Sequence, residues 1–191
     1  KVENAPKADM PPYDPGCYLC PGNTRAGGAV NPAYDGPFVF DNDFAALLSD
    51  VPGERMDEGG LLVAQSERGL CRVICFSPRH DLTLALMTAE EIAAVIRVWI
   101  EQYREIGAMD HINHVQIFEN KGQMMGCSNP HPHGQIWSNE TVPQVPWVEG
   151  LTQSDYREKE GRCMLCDYVE LESQLGEREV VVNDDMLAVV P

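Results

Sequence analysis

Between residues 88 and 107 the apolar side chains return every three or four positions: Ile92, Val95, Ile96, Trp99, Tyr103 and Ile106. That spacing lays them along one stripe of a helix. Thr88 with Glu91 three residues on forms a capping box at its start, and Gly107 offers a stop. The pattern predicts a helix over 89–106 with Trp99 and Tyr103 spent on the core. A second period appears in INHVQIFEN, which alternates as a strand does, with Val115 and Ile117 on one face and His114, Gln116 and Phe118 on the other. PFVFDNDFAALLSD reads as a strand interrupted at Asp41-Asn42-Asp43. LLVAQSERG and CRVICFSP read as two strands joined near Gly69, and residues 51–60 as a loop. Residues 138–162 are polar, carry Pro143 and Pro146, and read as a long linker with a short helix over 153–160. The elements together predict an α+β fold, an antiparallel sheet with flanking helices.

The chain also echoes itself. CYLC leads into FVFDNDFAALLS, and CMLC leads into VVVNDDMLAVVP. Each is a thiol pair, then apolar strand residues, then a turn rich in Asp and Asn, then more apolar residues. The echo predicts an N-terminal arm over 1–16, a first repeat over 17–150, and a linker with the opening of a second, incomplete repeat over 151–191.

Composition narrows the partners. The 191 residues carry a formal net charge of -16. An acidic surface repels nucleic acid and anionic membranes, yet leaves room for a small anionic substrate at a locally positive site. No apolar run is long enough to span a bilayer, and no secretory signal pattern is legible, which predicts a cytoplasmic protein. Four of the seven cysteines fall in two C-x-x-C pairs, Cys17/Cys20 and Cys163/Cys166. Without a secretory context such pairs read as metal ligands or free thiols rather than a disulfide framework. Cys71, Cys75 and Cys127 read as small packed hydrophobes. A closed tetrahedral site needs two more ligands, and thiolates favour zinc over magnesium or calcium. His80, His111, His114, His131 and His133 are all candidates, and spacing does not choose among them.

The stretch CSNPHPHGQIW is the most pointed chemistry in the chain. On a strand His131, His133 and Gln135 share a face, next to Ser128, with Gly134 allowing close approach to the backbone. A row of polar groups is costly to bury without a ligand or a metal. A neutral histidine can attack phosphorus if its other nitrogen is held by an acceptor. Gln135 can donate to a phosphoryl oxygen without moving a proton, which suits transfer rather than hydrolysis.

NPHPHGQIW, CYLCPGNTRAGG, VNPAY, VFDNDFAAL, RVICFSPRH and FENKG, in their order along the chain, resemble the galactose-1-phosphate uridylyltransferase family of the histidine-triad superfamily. The resemblance implies a HIT-like fold, one full repeat plus the start of a second. It implies that His133 is the nucleophile, taking a uridylyl group from UDP-glucose, releasing glucose 1-phosphate, and passing the group to galactose 1-phosphate to give UDP-galactose. The His131 carbonyl would orient His133, and Gln135 and Ser128 would hold phosphoryl oxygens. Asn42, Asp43 and Phe44 would contact the uridine, and Asn120 the phosphates or sugar. A structural zinc would be held by Cys17, Cys20, His80 and His131. In some members the residue at Glu149 ligates a second metal, and Cys163 and Cys166 resemble a second zinc site of certain relatives; both would be completed beyond Pro191. Members are homodimers. Two other readings share the same residues: a related phosphorylase or adenylyltransferase acting on ADP-sugars or dinucleoside polyphosphates, and a zinc-stabilised nucleotide-binding module without turnover.

Overall fold

A computed structural model of the chain describes residues 10–127 and 129–190. The chain divides between Thr141 and Val142 into two compact units, each described by itself.

In the first unit the strands are β1 (Phe38–Asp41), β2 (Arg55–Glu58), β3 (Leu62–Gln65), β4 (Gly69–Cys75), β5 (His114–Phe118) and β6 (His133–Asn139). Four of them form an antiparallel sheet in the order β1-β4-β6-β5. The helix α1 (Ala89–Gly107) covers one face. It begins as the pattern predicts: Thr88 Oγ1 accepts from Glu91 N and Glu91 Oε2 accepts from Thr88 N. The predicted stop differs, since the helix takes in Gly107 and is capped by Ala108 in right-handed conformation.

β4 shows how one strand serves two layers, because its side chains alternate between faces. Ile74 points to α1 and packs with Phe76, Met87, Val95, Ile106, Ile112 and Ile136. Arg72, on the same face, reaches Glu105 Oε1 of α1 at 2.9 Å. Val73 and Cys75 point the other way and pack with Cys17, Leu19 and Cys20. The sheet is therefore filled between a helix and a cysteine knuckle. Cys71 and Cys75 are buried, as small hydrophobes should be, and Cys127 is half-buried.

Two strand expectations changed. β3 pairs with β2, not with β4, and residues 55–58, read as loop, are the partner strand. The turn that joins them uses Gly59 and Gly60 at φ +66° and +72°, a conformation that favours glycine. The segment after β3 instead meets Leu48, which bridges Arg68 and accepts from Gly69 N.

The second unit holds α2 (Gln144–Glu160), α3 (Met164–Leu175) and a hairpin of β7 (Glu179–Val182) and β8 (Leu187–Val189). Residues 144–160, expected as a linker with one short helix, are helical throughout. The prolines that argued against a helix sit where one tolerates them. Pro143 is the N-cap and Pro146 lies in the first turn, where backbone N–H groups have no intrahelical partner. Glu172 of α3 is fully buried and is held below the usual carboxyl range by hydrogen bonds from Arg178, whose Nε lies 2.9 Å from Oε1. Among the described residues no helix is long and apolar enough to cross a membrane.

Gly134 of β6 is packed so closely that a Cβ there would sit 2.8 Å from Phe76 Cζ and 2.9 Å from the Phe118 carbonyl oxygen. Gly134→Ala is expected to lower the unfolding free energy by about 1–3 kcal/mol, because overpacking forces the strand off its neighbours. Urea denaturation of the variant checks this.

Candidate metal centre and active site

The knuckle is a chain of tight turns. Cys20 N donates to Cys17 O at 3.2 Å and Asn23 N to Cys20 O at 3.2 Å. Asn31 Nδ2 ties it shut from within, donating to the carbonyls of Tyr18 and Cys20, each at 3.0 Å. His80 is carried in from the loop after β4, where its backbone N donates to Pro12 O. His131 arrives from the approach to β6. The potential ligand atoms of Cys17, Cys20, His80 and His131 all lie within 4.8 Å of one another, and all four residues are buried. His111 and His114 fall elsewhere, so the tertiary fold makes the choice that spacing left open.

The donor set fits a metal ion. His131 Nε2 is within hydrogen-bonding distance of Ser77 O, at 2.9 Å. A carbonyl can only accept, so Nε2 carries the proton and Nδ1, 3.5 Å from Cys20 Sγ, keeps its lone pair. Burial pushes His131 down to about 4, so the ring is neutral near pH 7. Burial raises the Cys20 thiol to about 11. A buried divalent cation reverses that preference and draws out the thiolate. Asn129 Nδ2 donates to Cys17 Sγ at 3.4 Å, and Tyr34 OH lies 3.1 Å from His131 Nε2. Such outer contacts hold ligating groups in place.

The two histidines of the motif part company here. His131 lies before β6 rather than in it, 1 % exposed, so the shared strand face expected for 131, 133 and 135 holds only for His133 and Gln135. His133 opens β6 opposite Cys75, on the knuckle side of the sheet, and is half-buried. Its Nδ1 donates to the His131 carbonyl oxygen at 2.8 Å, so in the neutral imidazole Nε2 is the nitrogen that carries the lone pair. His133 borders two cavities. One, of about 560 Å³, is also lined by Asn120, Lys121 and Thr83. The other, of about 90 Å³, is also lined by Asn42, Asp43, Phe44, Phe40 and Tyr18. The fold thus brings Asn42, Asp43, Phe44 and Asn120 to His133 from both sides. Gln135 shares its strand face, with Oε1 accepting from Trp137 Nε1 at 3.0 Å, which leaves the amide N–H groups for another acceptor. Ser128 lies outside the described residues. The supporting residues Asn129, Tyr34, Asn31 and Ser77 were missed as individuals, although all four stand inside segments whose family pattern was read.

The profile of "Galactose-1-phosphate uridyl transferase, N-terminal domain" matches residues 1–143. The chain belongs to this family. It is 52% identical over 189 residues to the galactose-1-phosphate uridylyltransferase of Haemophilus influenzae, covering 99% of this chain and 54% of that protein. It is 45% identical over 182 residues to that of Rattus norvegicus, covering 95% and 48%. The chain therefore spans about half the length of the curated relatives it matches. A solved uridylyltransferase superposes with a TM-score of 0.79 at 26% identity, covering 95% of this chain and 57% of that one. A solved Arabidopsis thaliana ADP-glucose phosphorylase, with bound ADP-glucose, shares the fold at a TM-score of 0.67 and 21% identity, covering 95% and 56%. These likenesses agree with the mixed helix and antiparallel-sheet, HIT-like architecture expected from the sequence.

Glu149, Cys163 and Cys166 fall past the residues that the family profile matches. Glu149 is exposed on α2, and both cysteines are exposed at the start of α3. Among the described residues they join no cluster of three or more donors.

The purified chain is expected to hold one tightly bound metal ion, measured by elemental analysis. Cys20→Ser should lose it and unfold at a lower temperature, since a buried metal site is coupled to folding. A fully folded, metal-free protein would refute the centre.

Proposed function

We propose that the protein transfers a uridylyl group from UDP-glucose to galactose 1-phosphate through a covalent intermediate on His133. One observation carries the reading: His133 Nδ1 donates to the His131 carbonyl oxygen at 2.8 Å, so Nε2 keeps its lone pair at the junction of two cavities.

In the first half-reaction His133 Nε2 attacks the α-phosphorus of UDP-glucose. An N–P bond forms, the P–O bond to glucose 1-phosphate breaks, and the leaving oxygen takes the electron pair. The imidazole becomes cationic, and the His131 carbonyl steadies the proton on Nδ1. In the second half-reaction a phosphate oxygen of galactose 1-phosphate attacks the same phosphorus, the N–P bond breaks, and UDP-galactose leaves with His133 restored. Such a double displacement gives ping-pong kinetics. The uridine goes to the side of Asn42, Asp43 and Phe44, and the phosphates and sugar to the side of Asn120. Gln135, which can donate but not exchange a proton at neutral pH, holds a phosphoryl oxygen together with Ser128.

The metal is zinc in this reading, in keeping with a two-thiol, two-imidazole donor set. Bound there, it supplies rigidity and no redox or acid–base chemistry. Its ligand His131 is one proline away from the nucleophile, so fixing one residue fixes the other. The protein works as a cytoplasmic homodimer. Residues 151–191 are the linker and opening of a second repeat, where Cys163 and Cys166 contribute to one further metal site, and Glu149, at the end of the first repeat, contributes to another.

Incubation with UDP-glucose labelled at the α-phosphate should leave acid-labile label on the chain, approaching one per protein. His133→Gly should abolish the label while nucleotide still binds. Absence of label under conditions where UDP-glucose binds would remove the covalent route.

A further inference from the structure

Asn129 has no role in the reaction above, yet both ends of its side chain are engaged. It is buried on the approach to β6, two residues before His131. Its Oδ1 accepts from His131 N at 2.9 Å. That bond closes an Asx-turn around Pro130, whose ring presets the backbone for it. Its own carbonyl accepts from Cys127 Sγ at 3.0 Å, which pins the turn from the other side. Its Nδ2 spans 112 residues of sequence to donate to Cys17 Sγ at 3.4 Å. The sulfur lies 3.5 Å from Oδ1 as well, but a sulfur held by a metal has no proton and can only accept. The amide N–H is therefore the group that meets it, and Oδ1 is left whole for His131.

A short chain of contacts runs from the cluster to the nucleophile. The sulfur fixes the amide, and the amide fixes the His131 N–H. The carbonyl of the same residue accepts from His133 Nδ1 at 2.8 Å. Which ring nitrogen carries the proton is set by such a partner, so a turned His131 backbone would release the proton from Nδ1. Ligation of the His131 ring leaves that rotation open, because the bonds between ring and backbone can turn while the ring stays in place. The anchored Asx-turn closes it. Few side chains do both jobs. A carboxylate accepts but does not donate, a serine hydroxyl can close the turn but ends one bond short of the sulfur, and an apolar chain does neither.

We propose that Asn129 is a positioning residue, which ties the Cys17 sulfur to the His131 backbone and so holds His133 with its proton on Nδ1. The proposal rests on the nucleophile described under the proposed function. It goes further by naming the residue that carries the order of the ligand cluster to it.

Two variants separate the jobs. Asn129→Ser keeps the turn and removes the donor to the sulfur, and Asn129→Asp keeps the turn and sets a carboxylate against the sulfur. Long-range proton–nitrogen NMR correlation of the His133 ring reads the tautomer in the metal-loaded chain, without nucleotide and at mildly alkaline pH. The unaltered chain should show Nδ1–H alone. The variants, with metal retained by elemental analysis, should show a mixture of tautomers. Their rate of labelling by saturating UDP-glucose should fall about tenfold, the usual worth of one hydrogen bond, with affinity for UDP-glucose unchanged. A merely structural role would lower the melting temperature and leave the tautomer and the saturated rate alone. A single Nδ1–H tautomer in a variant that keeps its metal overturns the proposal, as does an undiminished labelling rate there, or an Nε2–H tautomer in the unaltered chain. Loss of the metal from both variants would make Asn129 a support for the ligands and nothing more, which also overturns it. The tautomer is read with no substrate present, so failure of the unaltered chain to take label removes the covalent route and leaves this test standing.

Discussion

The peptide of His131 meets two demands at once. Its side chain is buried in a four-ligand cluster, and its carbonyl oxygen accepts from His133 at 2.8 Å. The first demand fixes where the residue is, and the second uses that position to set a tautomer. Pro132 keeps the two apart. It has no N–H to offer to a ladder, so the strand begins only at His133, while its carbonyl accepts from Phe76 N at 2.9 Å and still anchors the turn. A freely placed imidazole would lose rate through misorientation. Here the orientation comes from backbone geometry, which does not rotate away.

The knuckle also reaches the smaller of the two cavities beside His133, which Tyr18 and Leu19 help to line. The loop that leaves Cys20 carries Arg25 and Gly27 to Asp43, while the segment that holds Tyr34 returns to the cluster through the Tyr34 hydroxyl, which donates to Leu19 O at 2.6 Å. Cys17 and Cys20, two of the residues that would grip a metal, pack with Leu19, Tyr34, Phe38 and Phe40 in one layer over Val73 and Cys75 of β4.

Much of this was legible in the chain. The stripe from Ile92 to Ile106 and the Thr88–Glu91 box are local features, and local physics alone gives α1. The motif HPHGQ marked the place where His133 and Gln135 share a strand face beside a buried His131. What was not legible depended on tertiary context. Spacing could not rank five histidines, because His80 meets Cys20 only when β4 returns to the knuckle. Nor could it see β2 and β3 pairing, since fully exposed strands carry no alternation to read. The prolines of α2 misled because their effect depends on which turn they occupy. Nothing in the sequence singles out Arg25, whose guanidinium meets Phe40 and Asp43 only in the folded chain.

The pairing of β4 with β6 sets Ile74 opposite Gly134 and Cys75 opposite His133. A slip of one residue would turn His133 and Gln135 toward α1 and expel Ile136 from the interior. The same alternation therefore scores the apolar core and the reactive face in a single register. Hydrophobic burial acts as proofreading for the site: a chain that has collapsed correctly has also, by that fact, set His133 at its two cavities.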